Sequence, residues 1–269
     1  MMDGMMDRDG GESGSRAERL SASPLVVLVT GAAGAIGSAT VRRFVEAEFE
    51  VVGLDRDPGV ASVAARRYAG LQLDLEDESA LARAVDAARA RGRLAHVIGI
   101  AGGALPDEPR TRDDLEALEP SVFRGSLEAN LTTQFLVLHA ALPWLRCAPG
   151  TDRSVTFTSS FNALAGYGMP AYSAAKAGII GMMHALTSPL GALGIRVNVV
   201  APGTVRTPRT ERIWAHDPDH FEILERTTAL GRLATPDDVA RTFLALATQL
   251  THVTGQVLVV DGGQMIARR

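Results

Sequence analysis

Leu25-Val26-Val27-Leu28-Val29-Thr30-Gly31-Ala32-Ala33-Gly34-Ala35-Ile36-Gly37 is the stretch from which the rest of the chain is read. Its first five residues form a continuous apolar run, the pattern of a strand buried on both faces of a parallel sheet. Glycines follow at 31, 34 and 37, after which Ala39, Val41, Phe44 and Val45 return at helical spacing. Strand, glycine turn and helix in that order open a βαβ unit. The helix N-terminus then offers unpaired amides and a positive dipole end to a pyrophosphate. Glycines alone carry little information; between a strand and a helix they carry a good deal.

Val51 to Leu54 reads as a second strand ending on Asp55. An acid about twenty residues past the glycine turn accepts both hydroxyls of an adenosine ribose and repels a 2′-phosphate. Arg56 follows directly, so charge favours NAD over NADP without excluding the latter. Leu71-Gln72-Leu73 reads as a short third strand closing on Asp74 and Leu75, which are placed to meet an adenine edge. A helix is predicted over 78–90, with Leu81, Ala84, Val85 and Ala88 on one face. A fourth strand over 95–100 runs into Ala101-Gly102-Gly103, small residues that let backbone lie close to a nicotinamide ribose.

The composition agrees with a globular enzyme-sized domain. Of 269 residues, 46% are hydrophobic and 22% charged, enough for a sizeable core. A net charge of −4 carries no basic excess, so nucleic acid is not an expected partner. No apolar run approaches the roughly 18 residues of a membrane span. The one cysteine, Cys147, has no internal partner and fits a reducing compartment, so a cytoplasmic location is expected. Residues 1–23 read as a disordered polar tail, leaving 24–269 as a single catalytic domain.

Tyr172-Ser173-Ala174-Ala175-Lys176 holds the only lysine in a chain with 27 Lys+Arg. Every other basic position is arginine, which points to a demand that a guanidinium does not meet. Four residues apart on a helix, the Tyr172 phenol and the Lys176 ammonium share one face. A cation beside a phenol lowers its pKa from about 10 towards the range of a working acid or base. The plain alternative is a surface tyrosine and a solvated lysine.

These features together resemble the short-chain dehydrogenase/reductase family, over residues 24–263. The family's TGxxxGxG has Ala35 where its middle glycine stands, and the segment equally matches TGxxGxxG, the form in the longer sugar-nucleotide branch. The family's NNAG corresponds to Gly99-Ile100-Ala101-Gly102, without either asparagine. The resemblance implies a three-layer α/β Rossmann fold with a seven-stranded parallel sheet in the order 3-2-1-4-5-6-7. It also implies that Asn130 kinks a long helix over 121–145 and holds a water leading to Lys176. For the serine that bonds the substrate oxygen, the family's usual spacing to the tyrosine selects Ser159; the register of the Ser159-Ser160 pair selects Ser160, which is the choice made here. Pro202, Gly203, Val205 and Thr207, in a Pro-Gly-x-x-x-Thr segment, are expected around the nicotinamide. The remaining cofactor residues are Gly31, Gly34, Ala35, Ile36, Gly37, Asp55, Arg56, Asp74, Leu75, Ala101, Gly102, Tyr172 and Lys176.

The implied activity interconverts a secondary alcohol and a ketone with NAD. Tyr172 is the acid/base, Lys176 lowers its pKa and holds the nicotinamide ribose, Ser160 steadies the substrate oxygen and Asn130 supports them. Two other activities share the fold: a sugar-nucleotide epimerase or dehydratase, and a non-catalytic nucleotide sensor. Leu105, Phe161, Leu164, Tyr167, Met169, Val205 and Trp214 suggest an apolar pocket for a hydrophobic or cyclic substrate. A lid is expected over 209–230. His216 and His220 lie four apart, but with Pro218 between them and no completing ligand, no metal is expected. Asn198 is read as a sheet-stabilising residue. The small residues Ala174, Ala177, Gly178, Gly181 and Ala185 allow a tight helix contact, and the family implies a homotetramer or homodimer.

Overall fold

The computed structural model describes residues 23–62, 65–108, 115–148, 152–166, 168–217 and 219–266. Residues 1–22 of the expected tail, together with Pro109, Tyr167 and Pro218, lie outside the described residues. Among the described residues, β1 (Leu25–Thr30), β2 (Glu50–Asp55), β3 (Tyr68–Gln72), β4 (Arg93–Gly99), β5 (Arg153–Thr158), β6 (Ile195–Pro202) and β7 (Val257–Val260) form one sheet. Their order is β3-β2-β1-β4-β5-β6-β7 and every pairing is parallel. The strand order reverses at β1 and β4, opening a crevice at the carboxyl ends of the strands.

Alternation along β1 sends side chains to two separate cores. Val26 and Leu28 pack with Leu81, Val85, Leu138 and Met183, which come from α2 (Glu78–Ala88), α4 (Thr133–Arg146) and α6 (Pro170–Gly191). Val27 and Val29 pack with Val41, Phe44, Val239 and Phe243, from α1 (Ala35–Glu46) and α9 (Pro236–Thr248). Burial of each such side chain contributes about 1.5–3 kcal/mol, so the middle strand is held from both sides. The result is three layers, helix on sheet on helix. Asp237, in the first turn of α9, receives Arg43 of α1 at 2.7 and 2.5 Å and helps fix the helix that opens on the crevice.

Three boundaries differ from expectation. β3 starts at Tyr68 and ends at Gln72, because Val51 to Asp55 pair with that segment in register. Leu73, Asp74 and Leu75 therefore lie beyond the sheet. The helix predicted over 78–90 ends at Ala88, and a 3-10 turn follows over Arg89–Arg91. The long helix predicted over 121–145 is two helices, α3 (Pro120–Leu127) and α4, joined by a single π turn at Glu128–Thr132. The remaining helices are α5 (Asn162–Ala165), α7 (Pro208–Ile213) and α8 (His220–Thr227). The last two make up the segment expected to be a lid.

Candidate active site

Local geometry of the β1–α1 turn demands glycine. Gly31 sits at φ +67°, and a Cβ there would stand 2.9 Å from the Ala101 amide. A Cβ on Gly37 would overlap the Gly31 carbonyl oxygen and stand 2.8 Å from the Ala32 Cα. Gly34 is the N-cap of α1 and supplies no side-chain cap, so Ala35, Ile36 and Gly37 open the helix with nothing but backbone over them. A glycine cradle under an uncapped helix end fits the diphosphate of a dinucleotide. Asp55 at the end of β2 accepts from the Ala33 amide at 2.9 Å with one oxygen and from the Asp57 amide at 3.0 Å with the other. Its carboxylate is thereby fixed beside the turn, where a ribose would lie. Arg56 is exposed, and its carbonyl accepts from Gln72 at 3.1 Å. Asp74 is exposed and accepts from the Glu76 amide at 3.0 Å, while Leu75 is buried. As Asp74 has left the sheet, it folds back on its own turn.

On the other side of the crevice, Thr30 accepts from the amides of Ile100 and Ala101 at 3.0 and 3.1 Å, which ties β1 to the loop after β4. Gly102 and Gly103 follow at φ +125° and +135°. Asn130 lies fully buried in the π turn. Its amide oxygen accepts from Gly103 at 2.6 Å, and its amide nitrogen donates to the carbonyls of Gly103 (3.1 Å) and Ser126 (3.0 Å). Both side-chain N–H groups are thus spent on backbone, and the side chain anchors the loop. Glu108 extends this anchor: one oxygen accepts from Leu105 at 2.7 Å and the other from Ser126 at 3.0 Å.

The serine pair, the tyrosine and the lysine meet at the carboxyl end of β5. Ser159 donates to the Lys176 carbonyl at 2.7 Å, which occupies its hydroxyl in holding α6. Ser160 receives the Asn162 amide at 3.2 Å and donates to the Asn162 side-chain oxygen at 3.3 Å, while its hydroxyl lies close enough to the Tyr172 phenol to pull that group's pKa down. Lys176 is 2% exposed, donates to the Thr158 carbonyl at 3.0 Å and stands 5.6 Å from the Tyr172 ring centre. Desolvation, helped by the nearby Arg209 charge, brings its pKa from 10.5 down to about 7. The Tyr172 pKa is raised above 10 by burial, against the opposing pull of Ser160 and Arg209. Burial therefore acts on both members of the pair, and in opposite directions. An ammonium taken out of water is itself short of charge at neutral pH, and the phenolate is costly in the same low-dielectric surroundings.

Beyond β6, much of the polar backbone is already committed. The Pro202 carbonyl accepts from Phe161 at 3.0 Å, the Gly203 amide donates to Val260 at 3.0 Å, and the Val205 carbonyl accepts from Thr210 at 2.9 Å. Thr207 is the N-cap of α7, its hydroxyl accepting from the Thr210 amide at 3.2 Å. That hydroxyl caps the helix as an acceptor, and a hydroxyl has an O–H to donate besides. His220 stacks on Trp214 with 3.7 Å between ring centres, and the described residues contain no group of His, Cys, Asp or Glu able to hold a metal. Among the pocket candidates Phe161 and Val205 are buried and Leu164 is exposed. Asn198 bonds Val253 at 2.8 Å and Gln256 at 3.1 Å, both through backbone, and so stitches β6 to the segment before β7.

Residues 31–265 match the family model described as enoyl-(acyl carrier protein) reductase. The chain belongs to the short-chain dehydrogenase/reductase family. Dehydrogenases of this family are oxidoreductases that use nicotinamide cofactors on small molecules. Family relatives include cis-4-hydroxycyclohexanecarboxylate dehydrogenase of Sinomonas cyclohexanicum, 35% identical over 88% of this chain and 95% of that protein. L-fucose dehydrogenase of Bos taurus is 32% identical, covering 88% of each chain. A short-chain dehydrogenase/reductase family oxidoreductase of Burkholderia thailandensis superposes with a TM-score of 0.80 at 38% identity, over 90% of this chain and 93% of that one. Within this family fold, Thr158, Glu108, Ser126 and Arg209 were not singled out by the sequence. Thr158 acts through its carbonyl and the others through contacts remote in the chain, so no local pattern marks them.

Proposed function

We propose that the chain is an NAD-dependent oxidoreductase that interconverts a cyclic secondary alcohol and its ketone, with Tyr172 as acid and base. The reading rests on one observation: the Lys176 ammonium stands 5.6 Å from the Tyr172 ring centre and is bonded to the Thr158 carbonyl, which brings tyrosine, lysine and the serine pair together at the carboxyl end of β5. The named relatives support a ring substrate, since hydroxycyclohexanecarboxylate and L-fucose are both cyclic alcohols. A bound nicotinamide supplies the acceptor or donor of hydride.

The chain's own residues handle the oxygen and its proton. Ser160 donates to the substrate oxygen and keeps it against Tyr172. In reduction Tyr172 gives its proton to the carbonyl oxygen as the carbonyl carbon takes hydride; in oxidation it takes the hydroxyl proton as hydride leaves the carbinol carbon. With its pKa raised, the phenol is protonated at neutral pH and is ready as the acid. Lys176 lies one helical turn away to stabilise the phenolate that results and to hold ribose hydroxyls. Asp55 accepts from the adenosine ribose and repels a 2′-phosphate, which favours NAD. Asn130 supports the site by anchoring the Gly103 loop.

Tyr172→Phe keeps the ring and removes the proton. It is expected to abolish turnover in a screen of cyclic alcohols and ketones followed by nicotinamide absorbance, while NAD binding by calorimetry stays within a few-fold of wild type. Turnover near the wild-type rate would refute the assignment. Ala174, Ala177, Gly181 and Ala185 form an exposed small-residue face on α6, which supports a homotetramer or homodimer. Light scattering of the purified chain tests that state. No helix among the described residues is long and apolar enough to cross a membrane. The one cysteine supports a cytoplasmic location.

A further inference from the structure

Arg209, on the first turn of α7, reaches back across the crevice to the loop after β4. One terminal nitrogen donates to the Gly102 carbonyl at 3.2 Å and the other to the Ala104 carbonyl. The two fit closely: Gly103, held to glycine by its φ of +135°, leaves the guanidinium the space a Cβ would take.

Arg43, Arg91, Arg196 and Arg232 each meet a carboxylate. Among the described residues Arg209 meets none, and its side chain is exposed. Two bonds to neutral carbonyls use two of its five N–H groups and balance no charge. The carbonyls it holds belong to the loop after β4 that Asn130 anchors, and its positive charge bears on both Tyr172 and Lys176.

We propose that Arg209 determines specificity for an anionic substrate, an alcohol or ketone bearing a carboxylate that the guanidinium holds while the reacting oxygen lies against Tyr172 and Ser160. The proposal rests on the alcohol–ketone reading of the Tyr172 site. A planar fork with N–H groups to spare matches a carboxylate in geometry, and one fixed cation matches one negative charge. A phosphate dianion would call for a second cation, and Lys176 is already bound to the Thr158 carbonyl.

The full-length chain, saturated with whichever of NAD or NADP it binds, is titrated calorimetrically with cyclohexanecarboxylate, benzoate and butanoate, each beside its neutral amide and beside cyclohexyl phosphate. Arg209→Met and Arg209→Lys are treated identically. Wild type is expected to prefer at least one acid over its amide by about tenfold or more. Arg209→Met should lose that preference while binding the amide and the dinucleotide as wild type does, and Arg209→Lys should keep part of it.

Three results would overturn the proposal: no acid preferred over its amide in wild type, a preference that survives in Arg209→Met, or equal loss of acid and amide in that variant. Tighter binding of cyclohexyl phosphate than of every carboxylate would overturn the assignment of the anion. Failure of wild type to bind either dinucleotide is a separate observation, and it removes the Tyr172 reading along with this one.

Discussion

Replacing Lys176 by methionine keeps the length of the side chain and removes its titration, which turns the buried ammonium into a measurable quantity. The side chain is 2% exposed, and its pKa falls from 10.5 to about 7 through burial, with Arg209 adding to the shift. For a base whose pKa is lower folded than unfolded, the unfolded chain binds the extra proton between the two values. Stability therefore rises with pH from about 7 to about 10.5 and is nearly flat below that window. Each pKa unit is worth about 1.4 kcal/mol. Integrated between about pH 7 and about pH 9, Lys176 alone contributes a gain of roughly 2 kcal/mol on this linkage.

The assay is urea unfolding of the ligand-free chain at several values between about pH 6 and about pH 9, for wild type and Lys176→Met. Subtracting the two curves cancels the histidines, the tyrosines and the ion pairs common to both. The difference should move in favour of wild type by roughly 2 kcal/mol over the upper two pH units and hardly at all over the lowest one. A difference independent of pH would refute the depressed lysine. So would a change confined to pH values near the ordinary lysine range.

Gly37→Ala places a methyl group against the Gly31 carbonyl and the Ala32 Cα, both backbone, so α1 must shift. A loss of about 1–3 kcal/mol in unfolding free energy, with weakened dinucleotide binding, is expected; an unchanged midpoint and affinity would contradict the packing. Asp55→Asn keeps the size and removes the charge, and the NAD-to-NADP ratio of dissociation constants should shift about tenfold towards NADP. A ratio equal to that of wild type would show that Asp55 does not read the ribose. Asn130→Ala strips the Gly103 amide of its acceptor and two carbonyls of their donor. Chemical denaturation should record a loss of about 1–3 kcal/mol, and a loss near zero would mean that the loop finds other partners.

Residues 25–37 alone announce the fold, because an apolar run, a glycine turn and a helical period are all local facts. The pairing of Tyr172 with Lys176 is legible for the same reason, as is the Thr235 cap of α9, whose hydroxyl accepts from Asp238 at 3.2 Å. The start of β3 was not legible, since a strand ends where its neighbour ends and β2 lies well upstream. Nor was the division of labour between Ser159 and Ser160, which depends on where α6 presents the Lys176 carbonyl and the Tyr172 phenol. Asn130 was recognisable as a misfit inside a helix, yet its partner Gly103 lies 27 residues away. The charge state of Lys176 and the reach of Arg209 belong wholly to the tertiary structure. Burial and charge are set by what surrounds a side chain, and in this fold the surroundings of α6 and α7 come from β4, β5 and the loops beyond them.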